Sequence, residues 1–131
     1  MDAARLIAYD YWANRESLES VRHAGAPVQP VAVLAHVAAT GNFWLARAAG
    51  GPTAPAWPEW DIETVDREMD ASFAAWNRIL EEVARRARGA VFEAVFEYEN
   101  AAGQRCATSF SEVAIELVSH GAHHRGQVAL L

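Results

Sequence analysis

Two histidines interrupt an apolar stripe near the end of the chain. From about Ser111 onward, apolar residues recur in steps of three and four, which predicts a helix. His120 and His124 occupy positions of this stripe where the pattern requires core residues, and their side chains lie on one face, a turn apart. The fold must therefore bury two imidazoles, which is costly unless they have partners. The apolar members of the stripe are Val113, Leu117, Val128 and Leu131.

The histidine pair has two interpretations. Two imidazoles four residues apart on a helix can bind one metal ion while the backbone hydrogen bonds stay intact. Alternatively, each histidine is a hydrogen-bonded residue of the core or of a cleft. A third ligand would decide between these interpretations. His123 is a poor candidate, because it points about 100° away from His124 on the same helix.

A third histidine lies in a helix that is apolar on nearly all sides. This second helix is predicted to run from about Pro30, a residue suited to a first helical turn, to Ala49. A helix of this kind is buried on more than one side, in the centre of a bundle or against another subunit. His36 alone would be interpreted as a core histidine. Together with His120 and His124 it becomes the expected third ligand.

Two further helices follow from the apolar period. The first is predicted from about Asp2 to His23, and the polar Asn14 within its stripe needs buried partners or faces a cleft. The third begins after the capping residue Asp61 and ends before Gly89. The stripe of the third helix is interpreted as core: Ile62, Val65, Met69, Phe73, Trp76, Leu80, Val83 and Ala87.

The apolar period changes before the last helix. Between Val91 and Thr108, β-branched and aromatic residues alternate with glutamates around a turn-like segment at 100–103, which predicts a short hairpin or an extended loop. Ser109 then caps the fourth helix, with Glu112 completing a capping box. Four helices with one short extended segment predict an all-α four-helix bundle that forms a single domain over residues 1–131. The solvated face of the hairpin is expected at Glu93, Glu97 and Glu99.

Two tryptophans follow the glycine- and proline-rich segment at 50–58, which is a loop by composition. Trp57 and Trp60 would be unusual in a solvated linker. Either they pack the loop onto the end of the bundle or they form the wall of a pocket, and the sequence supports both interpretations equally.

The charge balance argues against a nucleic-acid partner. The formal net charge is -6, and the one basic cluster, at 85–88, lies where cations favour a helix end. The lone Cys106 cannot form an internal disulfide and is interpreted as a packing residue, which fits a cytoplasmic, reducing location. No signal peptide is visible and no apolar run is long enough for a bilayer, so no membrane partner is expected.

Three motifs resemble those of the DinB/YfiT family, bundle proteins first noticed as DNA-damage-inducible. Residues 120–127, His-Gly-Ala-His-His-Arg-Gly-Gln, resemble the family's His-x-x-x-His-Arg-Gly-Gln element. Residues 34–36, followed by 44–45, resemble its second-helix element. Residues 9–14 resemble the opening helix, in which an aromatic-Trp-Ala-Asn run recurs. The match spans essentially the whole chain in the right order.

The resemblance implies a divalent metal, usually zinc or nickel, held by three histidines: His36, His120 and His124. It also implies homodimers, and activity as a thiol-dependent S-transferase or isomerase that uses a low-molecular-weight thiol such as bacillithiol or mycothiol. Two departures accompany it. The position about five residues after the second-helix histidine, often acidic in the family, is Gly41, and relatives usually continue beyond the motif whereas this sequence ends at Leu131.

The residues expected in the pocket or around the metal ligands are Tyr11, Asn14, Trp44, Arg125 and Gln127. Arg125 either orients a ligand carboxylate or forms an ion pair on the helix surface. Gln127 is expected to hold the backbone or a ligand histidine, and Gly126 to allow the close approach of a neighbouring helix.

Three neutral imidazoles would leave at least one coordination position open, which is the pattern of a catalytic zinc site. Such a site lowers the pKa of a bound water or thiol toward neutrality. The expected function is therefore a metal-dependent thiol S-transferase or hydrolase acting on a small molecule. The alternatives are a non-catalytic metal-binding bundle, serving as a stress-related sensor, store or interaction module, and a bundle with structural, metal-free histidines. Gly41 favours the non-catalytic bundle over the enzyme.

Overall fold

Four helices and one two-stranded hairpin make up the fold. The computed structural model describes residues 2–86 and 94–131. The helices are α1 (Ala3–His23), α2 (Val28–Ala49), α3 (Ile62–Arg86) and α4 (Phe110–Leu130). Strands β1 (Val95–Glu99) and β2 (Arg105–Ser109) pair antiparallel before α4. The predicted all-α bundle with a short hairpin before the last helix is confirmed.

Side-chain caps determine where three of the helices begin. Asp2 and Asp61 each accept a hydrogen bond of 2.8 Å from the backbone N–H three residues later. Ser109 and Glu112 form a reciprocal capping box at the start of α4. These bonds satisfy backbone donors that have no acceptor within the helix. The three predicted caps are therefore confirmed.

Helix α2 begins two residues earlier than predicted. Pro27 occupies the N-cap and Val28 is the first helical residue, so Pro30 lies within the first turn. Because N–H groups of a first turn have no acceptor inside the helix, a proline there loses no hydrogen bond. The prediction that Pro30 opens α2 is wrong by two residues. The predicted end at Ala49 is confirmed.

Two clusters of buried apolar side chains fill the bundle. Helices α1 and α2 each pack against both α3 and α4, so they face each other across the bundle axis. One cluster, near the hairpin, includes Ile7, Trp76, Leu80, Phe110, Val113 and Leu117. The other includes Leu18, Val21, Val31, Leu34, Val65 and Met69. Within the described ranges, no helix has the length and apolarity needed to cross a bilayer.

The predicted stripes meet the core except at the end of the chain. Leu131, expected on the core stripe of α4, is the C-cap residue and is 61% exposed. That expectation is wrong, because the residue lies beyond the last helical position and leaves the stripe; Val128, one turn earlier, packs against the second cluster. Other predictions fall outside the described residues, at Ala87, Arg88, Gly89, Val91 and Glu93.

The hairpin turns its aromatic side toward the bundle. The ring of Phe96 lies 5.0 Å from that of Phe110, and the ring of Tyr98 lies 5.5 Å from that of Trp44. Glu97 and Glu99 alternate with these aromatics and are exposed, as expected from the period of a strand. This packing closes the end of the bundle opposite the second core cluster.

Helices α1 and α4 approach closely at Gly121. Arg125 donates hydrogen bonds to Asp10 Oδ1 at 3.1 Å and to Asn14 Oδ1 at 2.6 Å, and Asn14 Nδ2 donates to Asp10 Oδ2 at 3.1 Å. A Cβ on Gly121 would lie 2.5 Å from Arg125 Nη1 and 2.7 Å from Asp10 Oδ1. A Cβ on Gly126 would meet no atom within 4 Å. The expectation that Gly126 allows close approach is wrong, because it points about 140° away from Gly121 on the helix.

The two glycines of α4 should respond oppositely to alanine. Gly121→Ala is expected to destabilise the fold by about 1–3 kcal/mol, because the new methyl group displaces the Asp10–Arg125 pair. Gly126→Ala should be neutral or stabilise by up to about 1 kcal/mol, because alanine has the higher helix propensity and meets open space. Urea unfolding of both variants measures the difference. Equal effects would contradict the placement of Gly121 at the α1–α4 contact.

Candidate metal centre

Three histidine side chains from the facing helices α2 and α4 converge on one point. The Nε2 atom of His120 lies 3.0 Å from His36 Nε2 and 3.1 Å from His124 Nε2. One nitrogen of each imidazole lies within 4.8 Å of the other two. Three nitrogens bonded to one zinc at tetrahedral angles are roughly 3.3–3.4 Å apart. The cluster therefore has the dimensions of a possible metal site.

Oxygen acceptors orient two of the three rings. His36 Nδ1–H donates to the backbone carbonyl of Ala56 at 2.6 Å, and His124 Nδ1–H donates to Gln127 Oε1 at 2.6 Å. Because a carbonyl oxygen only accepts, each Nδ1 carries a proton, and in the neutral form of each ring Nε2 presents a lone pair. Hydrogen bonds of this kind commonly orient histidines that ligate metals.

The converging lone pairs need a positive partner. Two Nε2 lone pairs, from His36 and His124, face the Nε2 atom of His120 at hydrogen-bond distance. A single proton on His120 Nε2 can point well at one of them, which leaves the other facing a nitrogen without a donor. A cation at the centre would satisfy all three lone pairs at once. The chemistry of this donor set therefore fits a divalent ion that accepts imidazole nitrogen.

Burial favours the neutral form of two of these imidazoles. His36 is 8% exposed, and desolvation lowers its pKa below 6.5, although the hydrogen bond to Ala56 opposes the shift. Desolvation, together with the nearby charges of His124 and His36, lowers the pKa of His120 to about 4. Neutral imidazole is the form that binds metals. Metal binding at neutral pH therefore need not displace a proton from either residue.

The loop before α3 covers the cluster. The ring of Trp57 stacks on His36 with centroids 3.8 Å apart and planes within 1°, and it meets His124 edge-on at 6.1 Å. Trp57 is still 58% exposed, whereas Trp60 packs against the second core cluster. Each of the two interpretations of the tryptophans therefore applies to one of them. Trp57 forms a wall beside the histidines, and Trp60 anchors the loop.

The five residues expected around the histidines have different surroundings. Gln127 is the one that hydrogen-bonds a histidine of the cluster. Tyr11 donates to Asp70 at 2.6 Å and stacks on Phe73, so it joins α1 to α3. Trp44 contacts the hairpin ring of Tyr98 and the guanidinium of Arg47.

Asn14 and Arg125 belong to the α1–α4 contact, which lies next to the histidine face of α4. Arg125 immediately follows His124, and its side chain is 11% exposed in the ion pair with Asp10. Burial raises the pKa of Asp10, while the hydrogen bond and charge of Arg125 oppose that shift. The expected ion pair of Arg125 thus exists, but it lies between helices rather than on the surface.

Gly41 borders a small cavity that all four helices line. The cavity has a volume of about 40 Å³. A Cβ on Gly41 would lie 2.9 Å from Ser72 Oγ and 3.9 Å from Trp76 Nε1. Trp76 is 3% exposed, and its indole N–H has no hydrogen-bond partner within residues 2–86 and 94–131. A side chain at position 41, which is often acidic in the DinB/YfiT family, would face Ser72 and Trp76. Glycine supplies no carboxylate there.

Two contributors to the site were missed by sequence reasoning. The Ala56 carbonyl orients His36, but a backbone acceptor in a loop has no residue-type signature. Asp10 lies within the motif at 9–14 but was not predicted to have a role of its own, although it pairs with Arg125. A carboxylate four residues before Asn14, on the same helical face, was the available signal.

Metal-free protein should lose stability as the pH falls below about 6.5. The folded-state pKa of His120, about 4, lies below its ordinary value of 6.5, so the unfolded chain takes up the proton first. The contribution of neutral His120 to stability is complete above 6.5 and is lost as the pH falls toward 4, and solvent screening of this half-exposed ring keeps the slope below the one-proton limit of about 1.4 kcal/mol per pH unit. Denaturant titrations of chelator-treated protein across this range measure the slope.

Two histidine variants separate this effect from the general acid response. His120→Gln should flatten the slope, whereas His123→Gln, an exposed position of the same helix, should leave it unchanged. The same slope in both variants would show that burial of His120 does not control the response.

The sequence was compared with models of protein families, with curated proteins and with solved structures. The model of the DinB superfamily matches residues 20–128, which is most of the chain and includes all three clustered histidines. Comparisons with curated proteins and with solved structures gave no match. The matched segment contains α2, α3, the hairpin and nearly all of α4. The chain therefore belongs to the DinB superfamily.

Proposed function

We propose that this chain binds one divalent metal ion, zinc or nickel, through the Nε2 atoms of His36, His120 and His124. We further propose that it activates a small thiol or water there for attack on an electrophilic small molecule, as a metal-dependent thiol S-transferase or hydrolase. The observation that carries the proposal is the convergence of three Nε2 atoms while oxygen acceptors hold two of the Nδ1–H groups. Imidazole ligands suit both metals.

The chain's own residues would position the reaction rather than take part in it. A bound divalent ion would supply Lewis acidity, which lowers the pKa of a coordinated water or thiol. The Ala56 carbonyl and Gln127 hold two ligand rings in place. Trp57 shields one face of His36 from water. His120 is half-buried, so the side of the cluster nearest to it is the proposed approach for a small molecule.

Proton transfer in this scheme would end in solvent. Within the described part of the chain, the side-chain hydrogen bonds of the three histidines go to the Ala56 carbonyl, to Gln127 and to one another. None of those partners is a carboxylate that could act as a general base. A thiol suits such a site better than water, because its proton is lost more readily.

A non-catalytic role is the second candidate. Gly41 contributes no carboxylate near the bundle centre, and the Trp57 ring covers part of the cluster. Both observations favour a bundle that holds metal as a stress-related sensor, store or interaction module. The two candidates share the metal site and differ in whether a substrate reacts there.

We also propose a homodimer of single-domain chains in the cytoplasm. The dimer and the location follow from the family resemblance and from the lone Cys106. Exposed aromatic side chains on α1, Tyr9 at 50% and Trp12 at 58%, support an interface with a second copy. The net charge of -6 is unfavourable for a nucleic-acid partner.

Metal content provides the first test. Tag-free protein should carry about one divalent ion per chain by mass spectrometry, and the His120→Ala, His124→Ala double variant should carry none, because one imidazole cannot hold the ion alone. His23→Ala, His123→Ala serves as a control that removes two exposed histidines. Absence of metal from the wild-type protein, with no change of melting temperature on adding zinc or nickel, would sink the three-histidine proposal.

Activity separates the two candidate functions. Metal-loaded protein should conjugate a low-molecular-weight thiol to an electrophile such as an alkyl halide, or hydrolyse a small ester. This turnover should vanish in His124→Ala, which removes a ligand. If one ion is bound and neither reaction is detected, the enzyme is excluded and the non-catalytic candidate remains.

Gln127 should tune metal affinity without being a ligand. Gln127→Leu removes the oxygen that fixes the His124 ring, so zinc affinity is expected to fall by about 10–100-fold while the fold is retained. Competition with a chromogenic chelator measures the affinity. Gln29→Leu, on the exposed surface of α2, is the matched control and should bind zinc as the wild type does.

A further inference from the structure

An apolar groove lies between the start of α2 and the segment that leads into α3. We refer to it as the loop groove. Its volume is about 770 Å³, within the usual range of small-molecule sites, about 300–1,000 Å³. One wall is formed by Val28, Val31 and neighbouring alanines, and the other by residues 57–62. Val28 is 85% exposed and Trp57 58% exposed, so both walls present apolar surface to solvent.

The charged groups of the loop groove all have one sign. Glu59 and Asp61 line it, and no lysine, arginine or histidine joins them among the residues that the structure describes. Two tryptophans, Trp57 and Trp60, stand beside these carboxylates. Aromatic faces attract cations, and carboxylates at the same site add to that attraction. An anion would meet repulsion here, and a neutral apolar molecule would gain from the walls alone.

Trp57 joins the loop groove to the histidine cluster. Its ring stacks on His36 at 3.8 Å and at the same time lines the groove. The preceding residue, Ala56, accepts the hydrogen bond from His36 Nδ1. A molecule in the groove would therefore touch the ring that covers a proposed metal ligand.

We propose that the loop groove binds the non-reacting part of the substrate and selects an organic cation, an amine attached to an aromatic or other apolar body. The ammonium group lies against Glu59 and Asp61, and the apolar body lies against Trp57 and Val28. That the bound cation is a substrate rests on the proposed function. Binding of the cation does not, because none of the groove residues is a proposed metal ligand.

Three indoles of nearly equal shape test the selection by charge. Tryptamine is a cation at neutral pH, tryptophol is neutral and indoleacetate is an anion. Calorimetric titration should show tryptamine binding at least about fivefold more tightly than tryptophol, with indoleacetate weakest. Added salt should reduce the advantage of tryptamine. Equal affinities for tryptamine and tryptophol, or no binding of any of the three, would overturn the proposal.

Variants locate the binding and provide the charge control. Glu59→Gln, Asp61→Asn should reduce the affinity for tryptamine toward that for tryptophol, and asparagine keeps the cap of α3. Trp57→Leu should weaken all three ligands. Glu81→Gln, Glu116→Gln removes the same charge from exposed positions outside the groove and should preserve the preference. Loss of the preference in this control would show that net charge, not the groove, attracts the cation.

Titrations of metal-free and zinc-loaded protein separate this proposal from the proposed function. Tryptamine should bind in both states. Binding without any metal-dependent reaction would leave the groove established and the enzyme excluded. One ion per chain without tryptamine binding would leave the metal site intact and overturn the groove proposal.

Discussion

The contact between α2 and α4 brings three imidazoles together inside an apolar bundle. Polar nitrogens in such a place are costly unless each has a partner. The Ala56 carbonyl and Gln127 satisfy two of the Nδ1–H groups, and the Nε2 atoms face one another. The loop before α3 and the end of α4 each supply a hydrogen-bond acceptor to one of these imidazoles, and Trp57 covers another face of the cluster.

The last helix serves two interfaces with one short motif. His120 and His124 point toward α2, whereas Gly121 and Arg125, one position further along, point toward α1. Adjacent residues differ by about 100° around a helix, so a pair of i,i+4 positions and its neighbouring pair face different partners. The buried Asp10–Arg125 pair thereby sets the depth and rotation of α4 against α1, and that rotation aims the histidines.

The loop at 56–62 links recognition to the proposed chemistry. Its consecutive residues Ala56 and Trp57 both contact His36, one through a carbonyl and one through a ring. The same segment forms one wall of the loop groove. Any molecule that moves Trp57 must therefore change the surroundings of His36. This coupling needs no long-range motion, because the two contacts belong to neighbouring residues.

The sequence by itself determined the presence and order of the four helices, the caps of three of them and the histidine pair, since apolar period, capping residues and i,i+4 spacing act within one turn of chain. It also predicted His36 as the third candidate metal ligand. Tertiary structure alone decided that the Ala56 carbonyl orients the His36 ring, that Trp57 rather than Trp60 stacks on His36, and that Gly121 rather than Gly126 is the close contact. These features depend on the distance and rotation between packed helices, which no pattern within a single helix encodes.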